Sequence, residues 1–292
     1  MSPAVNVLEE RFTTHEGKHL RYLTGGTGPA LLLCHGFVGS AENFADWFDV
    51  LLERRTIIAP DLPGFGRSAP MAGGHTAPAL ARAALAAANH MGAEQFDVAG
   101  LCLGTPVALA VQRARPQATE RVILHTPVVA PWLVRRSFRV QVGFMIAPIV
   151  YPGIVWLAHQ RAVSDIYKRL MVEGKNVDPV AAKVNFENQV LADPRAAREW
   201  VHDALQRDDL AQIRDSGRPT LILVAEHDRI VNVDRLESAI AGAPDIAFDV
   251  IRRAGHAWSP ELSRRQRALI AAFLDDQPLP RADVVAAAVA AA

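Results

Sequence analysis

The sequence contains only two cysteines, Cys34 and Cys102, in 292 residues. Two cysteines exclude a scaffold held by many disulfides, and these two do not have the spacing of a CxxC metal site. Basic and acidic residues balance at 31 each, so net charge gives no reason to expect a nucleic-acid partner. The first ten residues lack the basic and apolar regions of a signal peptide. We therefore expect a cytoplasmic protein with reduced thiols.

Motifs for a metal, a flavin or a nucleotide are also missing, so we expect no metal and no cofactor. Residues 142–158 carry no charge, but Pro148 and Pro152 interrupt them and their length is marginal for a bilayer. The stretch predicts core helices with a kink. The functional alternative is an apolar lid over an acyl pocket, with contact between the lid and membrane lipid as a further alternative. Residues 277–292 are too short to span a bilayer and predict a loosely ordered tail. We expect no integral membrane segment.

Short apolar runs alternate with helix-like runs along most of the chain, which predicts an α/β fold with a mostly parallel sheet flanked by helices. The predicted strands are 18–23, 30–34, 56–59, 95–99, 121–125, 220–225 and 245–251, and the predicted helices are 41–53, 77–90, 105–113, 233–241 and 262–274.

The alternation stops between about residues 129 and 217. That interval is rich in helix formers and holds three of the five tryptophans, Trp132, Trp156 and Trp200. It predicts a helical cap inserted into the sheet domain. The predicted organisation is a core of residues 1–128 and 217–276, a cap of residues 129–216 and a tail of residues 277–292.

One short segment combines a strand, a sharp turn and a helix. Gly100-Leu101-Cys102-Leu103-Gly104 follows the predicted strand 95–99 and precedes the predicted helix 105–113. Small glycines on both sides let a strand turn abruptly into a helix, which lifts the central side chain clear of both elements. This is the pattern of a nucleophile elbow, with Cys102 where serine is usual.

Three further segments follow predicted strands. His35-Gly36-Phe37 follows the second predicted strand, Asp228 follows strand 220–225, and Gly255-His256 follows strand 245–251. A nucleophile, an acid and a histidine therefore occur in the chain order of a catalytic triad built on such a sheet. A histidine takes up and returns a proton near neutral pH, and a carboxylate fixes its tautomer.

Together these segments resemble the alpha/beta-hydrolase superfamily, in the capped branch that includes esterases, haloalkane dehalogenases and epoxide hydrolases. The resemblance covers the whole chain except the tail and implies that Cys102 is the nucleophile, Asp228 the acid and His256 the base. It also implies that the backbone N–H groups of Phe37 and Leu103 form the oxyanion hole. Glu226 is a rival to Asp228 as the acid.

The remaining site predictions concern the pocket. The Phe37 ring, His125, Trp132 and Trp156 are candidate lining residues, although packing is the alternative for His125. Arg135, Arg136 and Arg139 predict a solvated face, or a site for the phosphate of a coenzyme A or carrier-protein thioester.

The resemblance implies a hydrolase that acts on an ester, lactone or thioester of a hydrophobic acyl group through an acyl-enzyme on sulfur. An acyltransferase, cyclase or lyase with the same triad is one alternative, and a non-catalytic ligand-binding protein is another. An introduced replacement of serine that silences the enzyme stays an alternative explanation for Cys102.

Overall fold

The computed structural model describes residues 8–170, 178–256 and 260–280. Its strands are β1 (Glu9–His15), β2 (Lys18–Gly25), β3 (Ala30–Cys34), β4 (Thr56–Pro60), β5 (Phe96–Leu101), β6 (Thr119–His125), β7 (Thr220–Ala225) and β8 (Ile246–Ile251). Its α-helices are α1 (Ala45–Leu51), α2 (Ala77–His90), α3 (Gly104–Ala114), α4 (Arg136–Met145), α5 (Tyr151–Ala158), α6 (Arg161–Lys168), α7 (Pro179–Leu191), α8 (Pro194–Ala204), α9 (Leu210–Asp215), α10 (Val233–Ile240) and α11 (Pro260–Leu274).

The eight strands form one sheet in the order β1-β2-β4-β3-β5-β6-β7-β8. The pairs β1–β2 and β2–β4 are antiparallel. All strand pairs from β4 and β3 to β7 and β8 are parallel. The predicted α/β fold, with a mostly parallel sheet flanked by helices, is confirmed, and β1 is a strand that the sequence pattern did not predict.

Successive side chains of the central strands alternate between two hydrophobic layers. In β3, Leu31 and Leu33 face the layer that contains Trp47 of α1 and Ile270 of α11. Leu32 and Cys34 face the opposite layer, which contains α2 and α3. Both layers are buried, and this explains why β3 reads as a continuous apolar run rather than as alternating apolar and polar residues.

Between β6 and β7, the described residues form helices and turns. Two of these helices, α7 and α8, begin with the same pair of residues. Asp178 and Asp193 accept hydrogen bonds from backbone N–H groups of the first turn, and a proline follows each of them. An aspartate cap followed by proline is a strong helix start because it satisfies a free N–H and presets the backbone.

Helix α8 packs onto the sheet domain through Trp200, which is fully buried. The Trp200 ring lies 5.0 Å from the Phe65 ring and 6.1 Å from the His35 ring, between ring centroids. This contact joins the helical segment to the turn that follows β3.

Residues 142–158 do not form the core helices that their composition predicts. Neither α4 nor α5 has a buried residue, and Ile149 between them is 96% exposed. Within the described ranges, no helix combines the length and the apolar character needed to cross a bilayer. Residues 171–177 of the predicted cap and 281–292 of the predicted tail lie outside the described residues.

Candidate active site

The turn between β5 and α3 places Cys102 in a strained backbone conformation. Its φ is +50°, a value that costs a non-glycine residue about 1–3 kcal/mol and that often marks a functional position. The neighbouring glycines permit the turn. A Cβ on Gly100 would lie 2.5 Å from the Gly104 carbonyl oxygen, and a Cβ on Gly104 would lie 2.1 Å from that of Cys34. Glycine is therefore required sterically at positions 100 and 104.

Backbone hydrogen bonds hold this turn in place. The Cys102 N–H donates to the His125 carbonyl at 2.9 Å, and the Cys102 carbonyl accepts from the Thr105 N–H at 3.1 Å. The Thr105 hydroxyl donates to the same carbonyl at 2.5 Å. Since the Cys102 N–H is used within the fold, the next N–H of the turn, that of Leu103, is the one left to meet a ligand.

Asp228 and His256 meet at the carboxyl ends of β7 and β8. The His256 Nδ1–H donates to Asp228 Oδ2 at 2.8 Å. The other carboxylate oxygen, Oδ1, accepts from the N–H groups of Ile230 and Val231 at 2.7 and 2.8 Å. The Asp228 side chain is fully buried and that of His256 is 8% exposed. The carboxylate thus has three donors and a fixed orientation.

These contacts stabilise the charged forms of both groups. Burial alone would raise the pKa of Asp228, but the His256 charge and the three hydrogen bonds lower it below its ordinary value. Burial alone would lower the pKa of His256, but the Asp228 charge, its hydrogen bond and the nearby Cys102 raise it well above 6.5. Because Nδ1 is bound to Asp228, Nε2 is the ring nitrogen available for proton exchange with Cys102.

The rival carboxylate, Glu226, points elsewhere. Glu226 Oε2 accepts from the Arg253 N–H at 2.7 Å, and Glu226 Oε1 lies 3.6 Å from an Arg252 nitrogen. Of the two candidates for the acid, Asp228 is the one that is hydrogen-bonded to His256.

The turn after β3 lies against the elbow. A Cβ on Gly36 would meet the Leu101 carbonyl oxygen at 3.1 Å and the Cys102 Cβ at 3.4 Å. The His35 ring holds this turn through two hydrogen bonds. Its Nε2 accepts from the Leu62 N–H at 2.9 Å. The proton of the neutral ring is therefore on Nδ1, which donates to the Gly36 carbonyl at 2.8 Å. Within the described residues, the N–H groups of Phe37 and Leu103 donate to no protein acceptor.

His125 lies at the end of β6, beside the triad residues. Its side chain is buried, and burial together with the positive charge of His256 lowers its pKa to about 3. A neutral imidazole at this position adds no second positive charge to the site.

A cleft opens beside Asp228. It is lined by residues from α4 and from the loop after β7, with Leu170 at its edge: Arg135, Ser137, Phe138, Gln141, Leu170, Glu226, His227, Asp228 and Arg229. The Arg135 Nε–H also donates to the Asp228 carbonyl at 3.1 Å. Sequence reasoning missed Phe138 and Gln141, because nothing in the pattern of α4 says which of its residues face the acid.

The predicted pocket tryptophans are not among the residues that line this cleft. Trp132 donates to Asp208 at 3.1 Å and lines a separate surface groove with Arg235 of α10. Trp156, on α5, is 65% exposed, and the Phe37 ring is 41% exposed. Their role as pocket residues stays a prediction.

In the described part of the chain, no three His, Cys, Asp or Glu side chains are grouped closely enough to hold a metal ion.

The fold and the site define a class of protein. Residues 29–259 match the alpha/beta hydrolase fold family, and this match covers most of the chain. The protein belongs to the alpha/beta-hydrolase family.

Individual relatives are more distant. The chain is 33% identical over 119 residues to the dihydrolipoyllysine-residue acetyltransferase component of the acetoin cleaving system of Cupriavidus necator, a match that covers 40% of this chain and 32% of the relative. It is 27% identical over 182 residues to haloalkane dehalogenase 2 of Mycobacterium tuberculosis, covering 55% and 64%. The chain thus spans less than two thirds of either relative.

Solved structures agree on the fold. Carboxylesterase CesB from Bacillus subtilis superimposes with a TM-score of 0.70 at 17% identity, covering 93% of each chain. At that identity the likeness shows the fold alone.

Proposed function

We propose that this protein is a hydrolase that cleaves an ester, lactone or thioester of a hydrophobic acyl group through a Cys102–His256–Asp228 triad. The observation that carries the proposal is that buried Asp228 holds His256 by a hydrogen bond, next to Cys102 at a strained turn. A strained residue beside neighbours with shifted pKa values is typical of a catalytic site.

In the proposed reaction, the Cys102 thiolate attacks the carbonyl carbon and forms a C–S bond. The oxyanion accepts hydrogen bonds from the N–H groups of Phe37 and Leu103, and each such donor typically contributes about 3–4 kcal/mol to the transition state. The tetrahedral adduct then expels the leaving group, which takes its proton from the His256 imidazolium.

Water completes the cycle. His256 Nε2 removes a proton from a water molecule, which attacks the thioester carbonyl, and the Cys102 thiolate is expelled as the acid forms. Asp228 remains ionised throughout and stabilises the imidazolium. An enzyme thioester also reacts with amines and thiols, so acyl transfer, cyclisation or condensation is the second outcome of the same intermediate.

The sulfur argues against the reaction named for the dehalogenase relative. Attack of Cys102 on an alkyl halide would leave a thioether, and water does not cleave a thioether at an ordinary rate. Attack on an acyl carbon leaves a thioester, which hydrolyses. The nucleophile therefore favours acyl substrates over alkyl substrates.

We also propose that the helices within residues 129–216 act as a cap. Phe138 and Gln141 of α4 line the cleft beside Asp228. Cys102 and His256 do not line this cleft, so the contact with the acid residue alone is what supports a role for the inserted helices in substrate binding. A small-molecule acyl substrate would enter between these helices and the sheet, and a coenzyme A or carrier-protein thioester is one form it could take.

Turnover of p-nitrophenyl esters and of acyl thioesters of increasing chain length tests the proposal. Cys102→Ala should lose the activity. Cys34→Ala is the matched control because Cys34 is fully buried in β3, away from solvent, and burial raises the pKa of its thiol to about 12. Equal activity of Cys102→Ala and Cys34→Ala would contradict the proposed function, and faster product formation with an added amine would favour transfer.

A further inference from the structure

Helices α4, α5 and α6 expose an unusual number of large apolar side chains. Phe144 is 64% exposed, Ile149 96% and Trp156 65%. We call the following set the apolar surface: Val140, Phe144, Ile149, Trp156, Leu157, Val163, Ile166 and Leu170. Single exposed apolar residues are ordinary, but eight within residues 140–170, six of them on α4, α5 and α6, mark a surface that meets something other than water.

The three helices are assembled with one another. Gln141 of α4 donates to the Tyr167 hydroxyl of α6 at 3.1 Å, and the Tyr167 hydroxyl donates to the Met145 sulfur at 3.7 Å. Helix α5 packs directly against α6. The apolar side chains therefore belong to one packed unit rather than to three independent helices.

The side of this unit that faces the rest of the protein is held by polar contacts and by Phe138, Val142 and Ile146, which pack against the core. The Gln189 side chain of α7 donates to the Ala158 carbonyl at 2.6 Å and to the Ser164 hydroxyl at 3.1 Å. Arg198 of α8 donates to the Ile146 carbonyl at 2.8 Å. In α6 the polar Ser164 is buried while Val163 and Ile166 are exposed. This is the reverse of a helix that buries its apolar face in a protein core.

Most of the charged residues in the segment that carries the apolar surface are basic. Residues 132–170 contain six basic side chains and a single acidic one, Asp165. The basic residues are Arg135, Arg136, Arg139, Arg161, Lys168 and Arg169. Four of them, Arg135, Arg136, Arg161 and Arg169, are exposed, whereas Arg139 Nε and Lys168 Nζ are buried; Arg161 also pairs with Asp165 at 2.9 Å. The whole chain is neutral, so this positive charge is a local property of these helices.

We propose that the apolar surface and the basic residues around it dock the protein onto an anionic phospholipid bilayer. Apolar side chains of helices lying in the interface enter the acyl region, and neighbouring Lys and Arg side chains attract anionic headgroups. A second copy of the chain fits less well, because a symmetric pairing of this surface would bring the two basic sets together.

The docking proposal goes beyond the proposed hydrolase activity and does not depend on it. It has one consequence for that activity. Leu170 belongs both to the apolar surface and to the cleft beside Asp228, so docking would bring the cleft close to the bilayer, where hydrophobic acyl compounds dissolve.

Vesicle flotation with the full chain tests the docking. We expect binding to vesicles of phosphatidylcholine mixed with phosphatidylglycerol to be at least about tenfold stronger than to phosphatidylcholine alone, and to weaken as salt increases. The double variant Phe144→Asp, Ile149→Asp should lose at least about tenfold in binding. Arg136→Gln with Arg169→Gln should reduce binding only to the anionic vesicles.

The matched control is Phe12→Asp, which places the same change at a 51% exposed phenylalanine on the edge strand β1. This variant should bind vesicles like the parent. Circular dichroism and turnover of a soluble ester report whether the double variant stays folded. If it does not fold, the parent chain gives an independent test: its tryptophan emission should shift to shorter wavelength with anionic vesicles, and Trp156→Phe should remove most of the shift.

Two results would overturn the proposal. One is a parent chain that floats with neither vesicle and shows no emission shift. The other is a dimer, detected by light scattering, that Phe144→Asp with Ile149→Asp converts to monomers, since the surface would then be covered by a second copy. Loss of vesicle binding with full ester turnover separates failure of docking from failure of the proposed chemistry.

Discussion

Replacing Asp228 by asparagine should remove activity while leaving the fold almost unchanged. The asparagine carbonyl oxygen can still accept from the N–H groups of Ile230 and Val231, as Oδ1 does at 2.7 and 2.8 Å. The amide nitrogen then faces His256 Nδ1 in place of the acceptor found there at 2.8 Å. An amide N–H is a donor, so its partner Nδ1 must be unprotonated. The ring proton then lies on Nε2, and an Nε2 that already carries a proton cannot accept one from the thiol.

The expected size of the effect follows from this tautomer. The equivalent change in a serine triad lowers kcat by about 10⁴. The rate falls because the histidine carries its proton on the wrong nitrogen, and the structure is retained. That factor corresponds to about 5.5 kcal/mol in the activation free energy. Asp228→Ala differs because it removes the acceptor of two buried N–H groups. Each buried donor left unsatisfied costs about 1–3 kcal/mol, so this variant should also lose about 2–6 kcal/mol of unfolding free energy.

Ester turnover and urea denaturation of the two variants separate these effects. We expect Asp228→Asn to unfold within about 1 kcal/mol of the parent and to be almost inactive, whereas Asp228→Ala should be both inactive and less stable. An Asp228→Asn variant that keeps more than about a tenth of the parent rate would refute the argument, because that loss is far below the cost of a wrong tautomer.

Two further predictions use matched pairs within the chain. Because the pKa of His256 is raised well above 6.5 and a cationic histidine activates a neighbouring thiol, iodoacetamide should label Cys102 at pH 6.5 and leave buried Cys34 unlabelled, as peptide mass spectrometry would show. In His256→Ala the labelling rate at that pH should fall about a hundredfold, and an unchanged rate would argue against this activation. Gly104→Ala should lower the urea unfolding free energy by about 3 kcal/mol, because its Cβ would lie 2.1 Å from a carbonyl oxygen. Gly143→Ala, where no atom lies within 4 Å, should instead add about 1 kcal/mol, and equal effects would contradict the steric argument.

The central strands and the elbow could be predicted from the sequence because several local signals coincide there. The predicted β3, β7 and α2 have the same bounds in the structure, since apolar runs or alanine-rich helix formers are bounded by clear turn residues. The Gly-x-Cys-x-Gly turn is a local steric requirement, so it too is visible without coordinates. The order of Cys102, Asp228 and His256 added long-range information that no single motif contains.

Strand β1 was missed because it lies at the edge of the sheet. Its residues are mostly exposed on both faces, so the sequence EERFTTH shows no apolar alternation from which a strand could be predicted. Its pairing with β2 comes from a tight turn at Glu16 and Gly17, both with positive φ. Local composition does not reveal such a pairing.

For helices α4 and α5, the elements were visible in the sequence but the prediction of their burial was wrong. Their apolar composition predicts burial, because most apolar helices in a globular protein pack into its core. In the structure neither helix has a buried residue, and Phe144 of α4 and Trp156 of α5 face solvent. Composition reports which side chains are apolar but not whether the protein itself or another surface covers them.

The central claim is that Cys102 carries the acyl group during turnover. Intact mass spectrometry after rapid mixing with a slowly hydrolysed acyl thioester tests it directly. We predict a mass increase equal to one acyl group, located on Cys102 by peptide mapping, which decays as product forms and does not appear in Cys102→Ala. Product formation by the parent chain with no acyl adduct at Cys102, or an equal adduct in Cys102→Ala, would contradict the claim.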